Sequence, residues 1–146
     1  PGLIEGASQG LGLGHEFLRH VERTRAIVHL LDVTPPDGSD PAQNYETIRA
    51  ELAAYSPALA DKPELICLNK MDLLPDPKAQ ERAVKKLCAD LGVRRKDVLA
   101  ISGAARINLA DLLERLWTLV HPRGQTQDGW KGMAADAAAR EKSPAP

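Results

Sequence analysis

Three stretches of the chain are short, unbroken apolar runs: "AIVHLLDV" at residues 26–33, "ELICLN" at 64–69 and "DVLAIS" at 97–102. Runs of this length, rich in aliphatic and β-branched residues, predict strands covered on both faces. Between them the apolar positions recur at steps of three and four. In "DPAQNYETIRAELAAY" the stripe is Tyr45, Ile48, Leu52 and Tyr55, with Asp40 as N-cap, Pro41 at the first helical position, Gln43 completing a capping-box pattern and Pro57 closing the helix. "DPKAQERAVKKLCADLG" repeats the design, from Asp76 and Pro77 to Gly92 in the C-terminal capping position. "NLADLLERLWTLV" predicts a last helix capped by Asn108 and burying Leu109, Leu112, Leu113, Leu116 and Val120. "GHEFLRHVERT" predicts a shorter one ahead of the first strand, with Phe17, Leu18 and Val21 inward. Strands alternating with helices predict parallel βαβ units with right-handed crossovers, hence an α/β fold. From Gly124 onward the periodicity stops and Gly, Ala and Pro accumulate. The expected organisation is one domain over residues 1–123 and a disordered tail over 124–146, with no internal repeat.

Composition narrows the function classes. A chain of 146 residues holds one core. Its formal net charge of -1 lacks the basic excess of non-specific phosphate-backbone binders. Two cysteines, Cys67 and Cys88, are too few for a disulfide framework, which fits a reducing cytosol and a cytoplasmic location. No stretch approaches the roughly 20 apolar residues of a membrane span, and no charged-then-apolar leader opens the chain. The first residue is Pro1, not Met, and the chain begins inside an apolar, Gly-rich segment, so a fragment is expected.

Candidate chemistry lies in "NKMD", residues 69–72, directly after the second apolar run. Ligands of open parallel sheets sit outside the carboxyl ends of the strands, and this segment occupies such an end. An aspartate there accepts two hydrogen bonds from a planar donor pair, which guanine offers in its ring N–H and exocyclic amine and adenine does not. Charge-assisted bonds of this kind contribute roughly 1.5–3 kcal/mol each, enough for Asp72 to separate the two purines. Asn69 can tie neighbouring loops together, and the alkyl stem of Lys70 can cover a flat base face. Taken alone, Asn69, Lys70 and Asp72 are also ordinary loop formers.

Three separated segments change that balance. "PGLIEGASQGLGLGHEFLRHVERTRAIVHLLD" at the start, "NKMD" in the middle and "ISGAA" near the end resemble the Obg family of translation-factor-like GTPases, in the family's order and over residues 1 to about 121. The first segment is the most specific, because it matches the Pro-Gly end of the nucleotide-sensing loop, the Leu-Ile-Glu-Gly-Ala stretch and the "GHxFLRHxERT" helix. The resemblance implies a partial P-loop GTPase fold and a parent protein that binds and hydrolyses GTP with Mg2+ in a bacterial cytoplasm. It further implies a role in assembly of the large ribosomal subunit. Carried onto this chain, it places Pro1 and Gly2 at the terminal phosphate, with the Gly2 N–H as donor. Asn69, Lys70 and Asp72 then hold guanine, and the loop Ser102, Gly103 and Ala104 offers a backbone N–H to its carbonyl oxygen. The family's usual Ser-Ala is Ser102-Gly103 here, a change that a backbone contact tolerates. Residues 3–24 correspond to the segment that reorders when the terminal phosphate is lost, with Gly6, Gly10, Gly12 and Gly14 supplying backbone freedom. Leu3 stands where many related GTPases place a water-orienting glutamine and cannot orient water by hydrogen bonding, so slow intrinsic hydrolysis is expected.

Other expected parts are absent from the chain. None of its eleven glycines is followed by Lys, so "GxxxxGK[ST]", the loop that cradles phosphates and binds magnesium, does not occur. The magnesium ligands and three strands are expected upstream of Pro1, which leaves the guanine-recognition half, inactive by itself, and an unpaired edge on the strand at 26–33. "GLGLG" at residues 10–14 brings its third glycine one residue early for a dinucleotide loop. His15 and His20, five apart on a helix, point about 140° away from each other and do not share a metal. His29, His121 and Trp117 read as structural. Two alternatives stand beside the main reading: a truncated, non-catalytic interaction module, or another GTPase family sharing "NKxD".

Overall fold

The computed structural model describes residues 14–121, apart from the side chain of His15. Helix α1 (Gly14–Glu22) precedes strand β1 (Ile27–Asp32); α2 (Pro41–Tyr55) and the one-turn α3 (Pro57–Ala60) lead to β2 (Glu64–Asn69). Then come α4 (Pro77–Leu91), β3 (Val98–Ala100) and α5 (Leu109–Val120), with single 3-10 turns at Met71–Leu73 and Arg95–Asp97. The strands form one parallel sheet in the order β1-β2-β3, so the expected α/β class is what is found.

Local chemistry sets the helix ends. The Asp40 carboxylate accepts from the N–H groups of Ala42 and Gln43, and Asp76 from that of Ala79, each followed by a proline at the first helical position. Gly92 ends α4 at φ 64, a left-handed conformation that costs a side-chain-bearing residue energy. Pro57 does more than close α2: Ser56 is extended, and Pro57 opens α3. Asn108 occupies the position before α5 at φ 56 but makes no side-chain cap; its amide donates to the Ala100 carbonyl at 2.8 Å.

Central strand β2 shows why its run is apolar throughout. Ile66 and Leu68 face one side, packed with Leu31, Ala42, Met71, Val84, Leu87 and Val98, while Leu65 and Cys67 face the other with Leu99 and Ile101 under Leu112, Leu116 and Leu119. Helices α2 and α4 therefore cover one face and α5 the other. Leu113, expected inside, is 37% exposed, and Leu119 takes its place against the sheet. A third cluster of Leu18, Leu52 and Leu59, with Val21, Ile27, Ile48 and Tyr55 around it, holds α1 and α3 against α2. The ammonium of Lys62 donates to the carbonyls of Glu22 and Thr24, closing the C-terminal end of α1.

His29 is buried, as its structural reading required, and its Nε2 lies 3.1 Å from Glu64 Oε2. The Tyr45 hydroxyl donates to the other oxygen of Glu64, and Arg49 Nη1 stands 3.2 Å from Oε2. Burial alone would raise the Glu64 carboxyl, but the bonds from His29 and Tyr45 and the Arg49 charge outweigh it and hold the group below the usual range. Trp117 stacks on His121 at 3.9 Å, a contact within the end of α5.

Candidate guanine-recognition site

The parallel register sets Asp32 opposite Asn69, so β1 and β2 end together at one rim of the sheet. Beyond Asn69 the chain turns sharply. Lys70 adopts φ 63, Met71 is buried, and the Met71 N–H donates to the Ile101 carbonyl at 3.1 Å. From α4 the Gln80 amide donates to the Met71 carbonyl at 3.0 Å. The turn that carries Asp72 is thus bonded on two sides, to the strand-end at Ile101 and to α4, and Asp72 stays exposed on it.

Next to it stands the loop after β3. Ser102 is fully buried; its hydroxyl donates to Asp72 Oδ1 and accepts the N–H of Ala105 at 2.9 Å. Asn69 Oδ1 accepts the Gly103 N–H at 3.1 Å, which ties the two loops together. An isolated antiparallel bridge between Ser102 and Ile107 closes the loop's base. With the Gly103 and Ala105 N–H groups both used, the Ala104 N–H has no partner among the described residues and lies free at the loop's tip. Gly103 leaves room beside Asn69: a Cβ there would meet only Asn69 Oδ1, at 3.9 Å.

Six of the expected residues, Asn69, Lys70, Asp72, Ser102, Gly103 and Ala104, therefore converge on the carboxyl end of β2 and β3. Pro1, Gly2 and most of the expected switch, residues 3–13, lie outside the described residues, as does the expected tail at 124–146. Two residues of the assembly receive no role from the motifs, although Asp32 closes the first family-like segment. Gln80 braces Met71, and Asp32 holds the Lys70 ammonium at 2.6 Å. The sequence signal for Asp32 was a carboxylate ending an apolar run at the same rim; Gln80 left none.

Chemically, the site offers a carboxylate with one oxygen engaged by Ser102, an alkyl stem tethered at its far end and a free backbone donor. Among the described residues no group of three or more His, Cys, Asp or Glu converges to hold a metal ion, so no step is assigned to Mg2+ here. No described helix is long and apolar enough to cross a membrane.

No protein-family model matches the chain. Curated proteins named GTPase Obg do. The one from Rippkaea orientalis is 46% identical over 121 residues, covering 82% of this chain and 34% of the relative. Relatives from a Synechococcus strain and from Symbiobacterium thermophilum are 50% and 48% identical, covering 80% and 82% of this chain and 32% and 27% of their own lengths. The chain thus spans about a quarter to a third of the length of the curated relatives it matches. Its backbone is similar to a crystal structure described as a probable GTP-binding protein engB, with a TM-score of 0.51 at 17% identity over 74% of this chain and 64% of that one. That likeness establishes the fold, a partial P-loop GTPase fold of parallel sheet and flanking helices. Close to half of the chain's residues are identical to those of these GTPase Obg relatives across four-fifths of its length, so over the stretch it spans the chain is similar to the Obg family of GTPases.

Proposed function

We propose that this chain is the guanine-recognition part of a GTP-binding, GTP-hydrolysing protein. The observation that carries the reading is the meeting of Asp72 with Ser102 and of Asn69 with Gly103 at one rim of a parallel sheet. Asp72 accepts the ring N–H and the exocyclic amine of guanine, one oxygen shared with Ser102. The free Ala104 N–H donates to the guanine carbonyl oxygen, and the Lys70 stem covers a face of the base. Adenine presents its amine where guanine has that carbonyl, so both the carboxylate and the Ala104 N–H would face a mismatched edge. Each mismatch leaves a polar group unsatisfied at a cost of about 1–3 kcal/mol.

Hydrolysis, Mg2+ and contact with the large ribosomal subunit belong to the proposal for the whole protein. They rest on the relatives named GTPase Obg and on the resemblance, because the chain contains no phosphate-cradling loop. By itself the chain is proposed to be inactive in turnover.

The test uses Asp72→Asn in the full-length protein that carries this chain, titrated with fluorescent GDP and XDP. Asparagine supplies a donor where xanthine has a carbonyl, so GDP affinity should fall at least tenfold and XDP affinity rise. Unchanged preference would remove Asp72 from the base site.

A further inference from the structure

We infer that Asp32 is a positioning residue for the base site: it tethers the Lys70 ammonium at the β1 side of the rim, holding the lysine stem in place and keeping the charge off Asp72. This rests on the guanine reading above. Three observations carry it.

First, the Lys70 backbone has little freedom. The Asn69 carbonyl accepts the Val33 N–H at 3.0 Å, the Met71 N–H is bound to Ile101, and Lys70 between them sits at φ 63. The side chain therefore starts from a fixed point. Second, its Nζ meets Asp32 Oδ2 at 2.6 Å, so the stem runs from the end of β2 to the end of β1. Asp72 turns the other way, toward Ser102 after β3. The rim is divided between two carboxylates, each with its own partner. Third, Asp72 makes no ion pair among the described residues, although a lysine lies only two positions before it.

A lysine released from Asp32 has Asp72 as its nearest remaining acidic group in sequence. Pairing there would place a cation against the carboxylate that must accept two donors from the base, and would lift the stem from the base face. Asp32 and Lys70 are both partly exposed, so the tether's strength is modest and screened by salt. An effect of roughly two- to fivefold on affinity is expected.

The experiment is a double-mutant cycle in the full-length protein, read as the Kd for fluorescent GDP at low salt. Asp32→Asn should weaken GDP roughly two- to fivefold, Asp32→Glu should bring affinity back to near the parent value, and Asp32→Asn should have no further effect in a Lys70→Met background. The Asp32→Asn deficit should shrink as salt rises. Unchanged affinity in Asp32→Asn, or the same loss in the Lys70→Met background, overturns the tether. If circular dichroism shows that Asp32→Asn does not fold, Lys70→Arg, which keeps the pair, is compared with Lys70→Met, which removes only the charge. Equal affinities for those two variants overturn the proposal as well. Asp72→Asn runs alongside as a control on the underlying reading. If it leaves the base preference unchanged, the guanine site itself is wrong and the tether falls with it. If it switches preference while the cycle shows no coupling, only the role of Asp32 is lost.

Discussion

Glu64 shows how one side chain makes stability depend on pH. Its carboxylate takes the Tyr45 hydroxyl, lies 3.1 Å from His29 Nε2 and faces Arg49, so three groups from β1 and α2 meet at the start of β2. Its folded pKa is depressed, which means that the folded state favours the charged form more than the unfolded chain does. The stabilisation is complete above the ordinary glutamate range and is lost as pH falls through that range to the lower folded value. Tyr45, whose phenol burial and the Glu64 charge push up, stays a donor throughout. Thermal melts between pH 7 and pH 3 should therefore show an acid limb that Glu64→Gln flattens, with a loss on the order of 1 kcal/mol at neutral pH from the weakened bonds. An acid limb as steep in Glu64→Gln as in the parent would remove this carboxylate from the explanation.

Helix α4 is the element whose ends can be tested cleanly, since one cap is a side chain and the other a backbone conformation. Asp76→Ala removes the acceptor of the Ala79 N–H and should cost about 1 kcal/mol. Gly92→Ala meets no atom within 4 Å, so its cost is the positive φ alone, about 1–2 kcal/mol. The two positions flank a fifteen-residue helix at opposite ends, and urea titrations should give additive losses within about 0.5 kcal/mol. A Gly92→Ala variant as stable as the parent would mean that α4 does not end in the left-handed conformation. These caps were readable from the chain because they depend on residues a few positions apart. The same holds for the three apolar runs, whose burial follows from their own composition. What could not be read depends on partners distant in sequence. Asn108 has the right identity for a cap, yet its backbone is left-handed at φ 56, not extended as a capping residue needs, and its amide nitrogen donates to the Ala100 carbonyl. Leu113 fits the helical stripe, but α5 is rotated so that Leu119 meets the sheet instead. In the site, "NKMD" announced Asn69, Lys70 and Asp72, while the 3-10 turn that aims them and the Asp32 tether appear only once strand register brings Asp32 opposite Asn69.

The sheet as a whole is covered unevenly. Val28, Leu65, Cys67 and Leu99 lie under α5, but Leu30, paired with Cys67 across β1 and β2 and facing the same side, is 59% exposed. Beside it an open cleft of about 730 Å3 runs along β1 and the first half of α2, bounded by Leu30, Leu31, Asp32, Asn44, Thr47 and Ile48. Among the described residues β1 has a neighbour on one side only, which is the unpaired edge expected from the sequence. An apolar side chain beside an open strand edge favours pairing between copies, so the 146-residue chain alone should associate in a concentration-dependent way. Leu30→Lys should weaken that association in sedimentation experiments and leave the melting temperature of the isolated chain nearly unchanged, because the side chain is already in water. In a full-length protein of the resembled topology, further strands and a helix would cover Leu30, and the same lysine would then be a charge buried without a partner. There it should destabilise by several kcal/mol. One substitution with opposite consequences in two lengths of chain separates an edge that is completed from an edge that stays open. A full-length protein indifferent to Leu30→Lys would show that β1 remains the sheet's border.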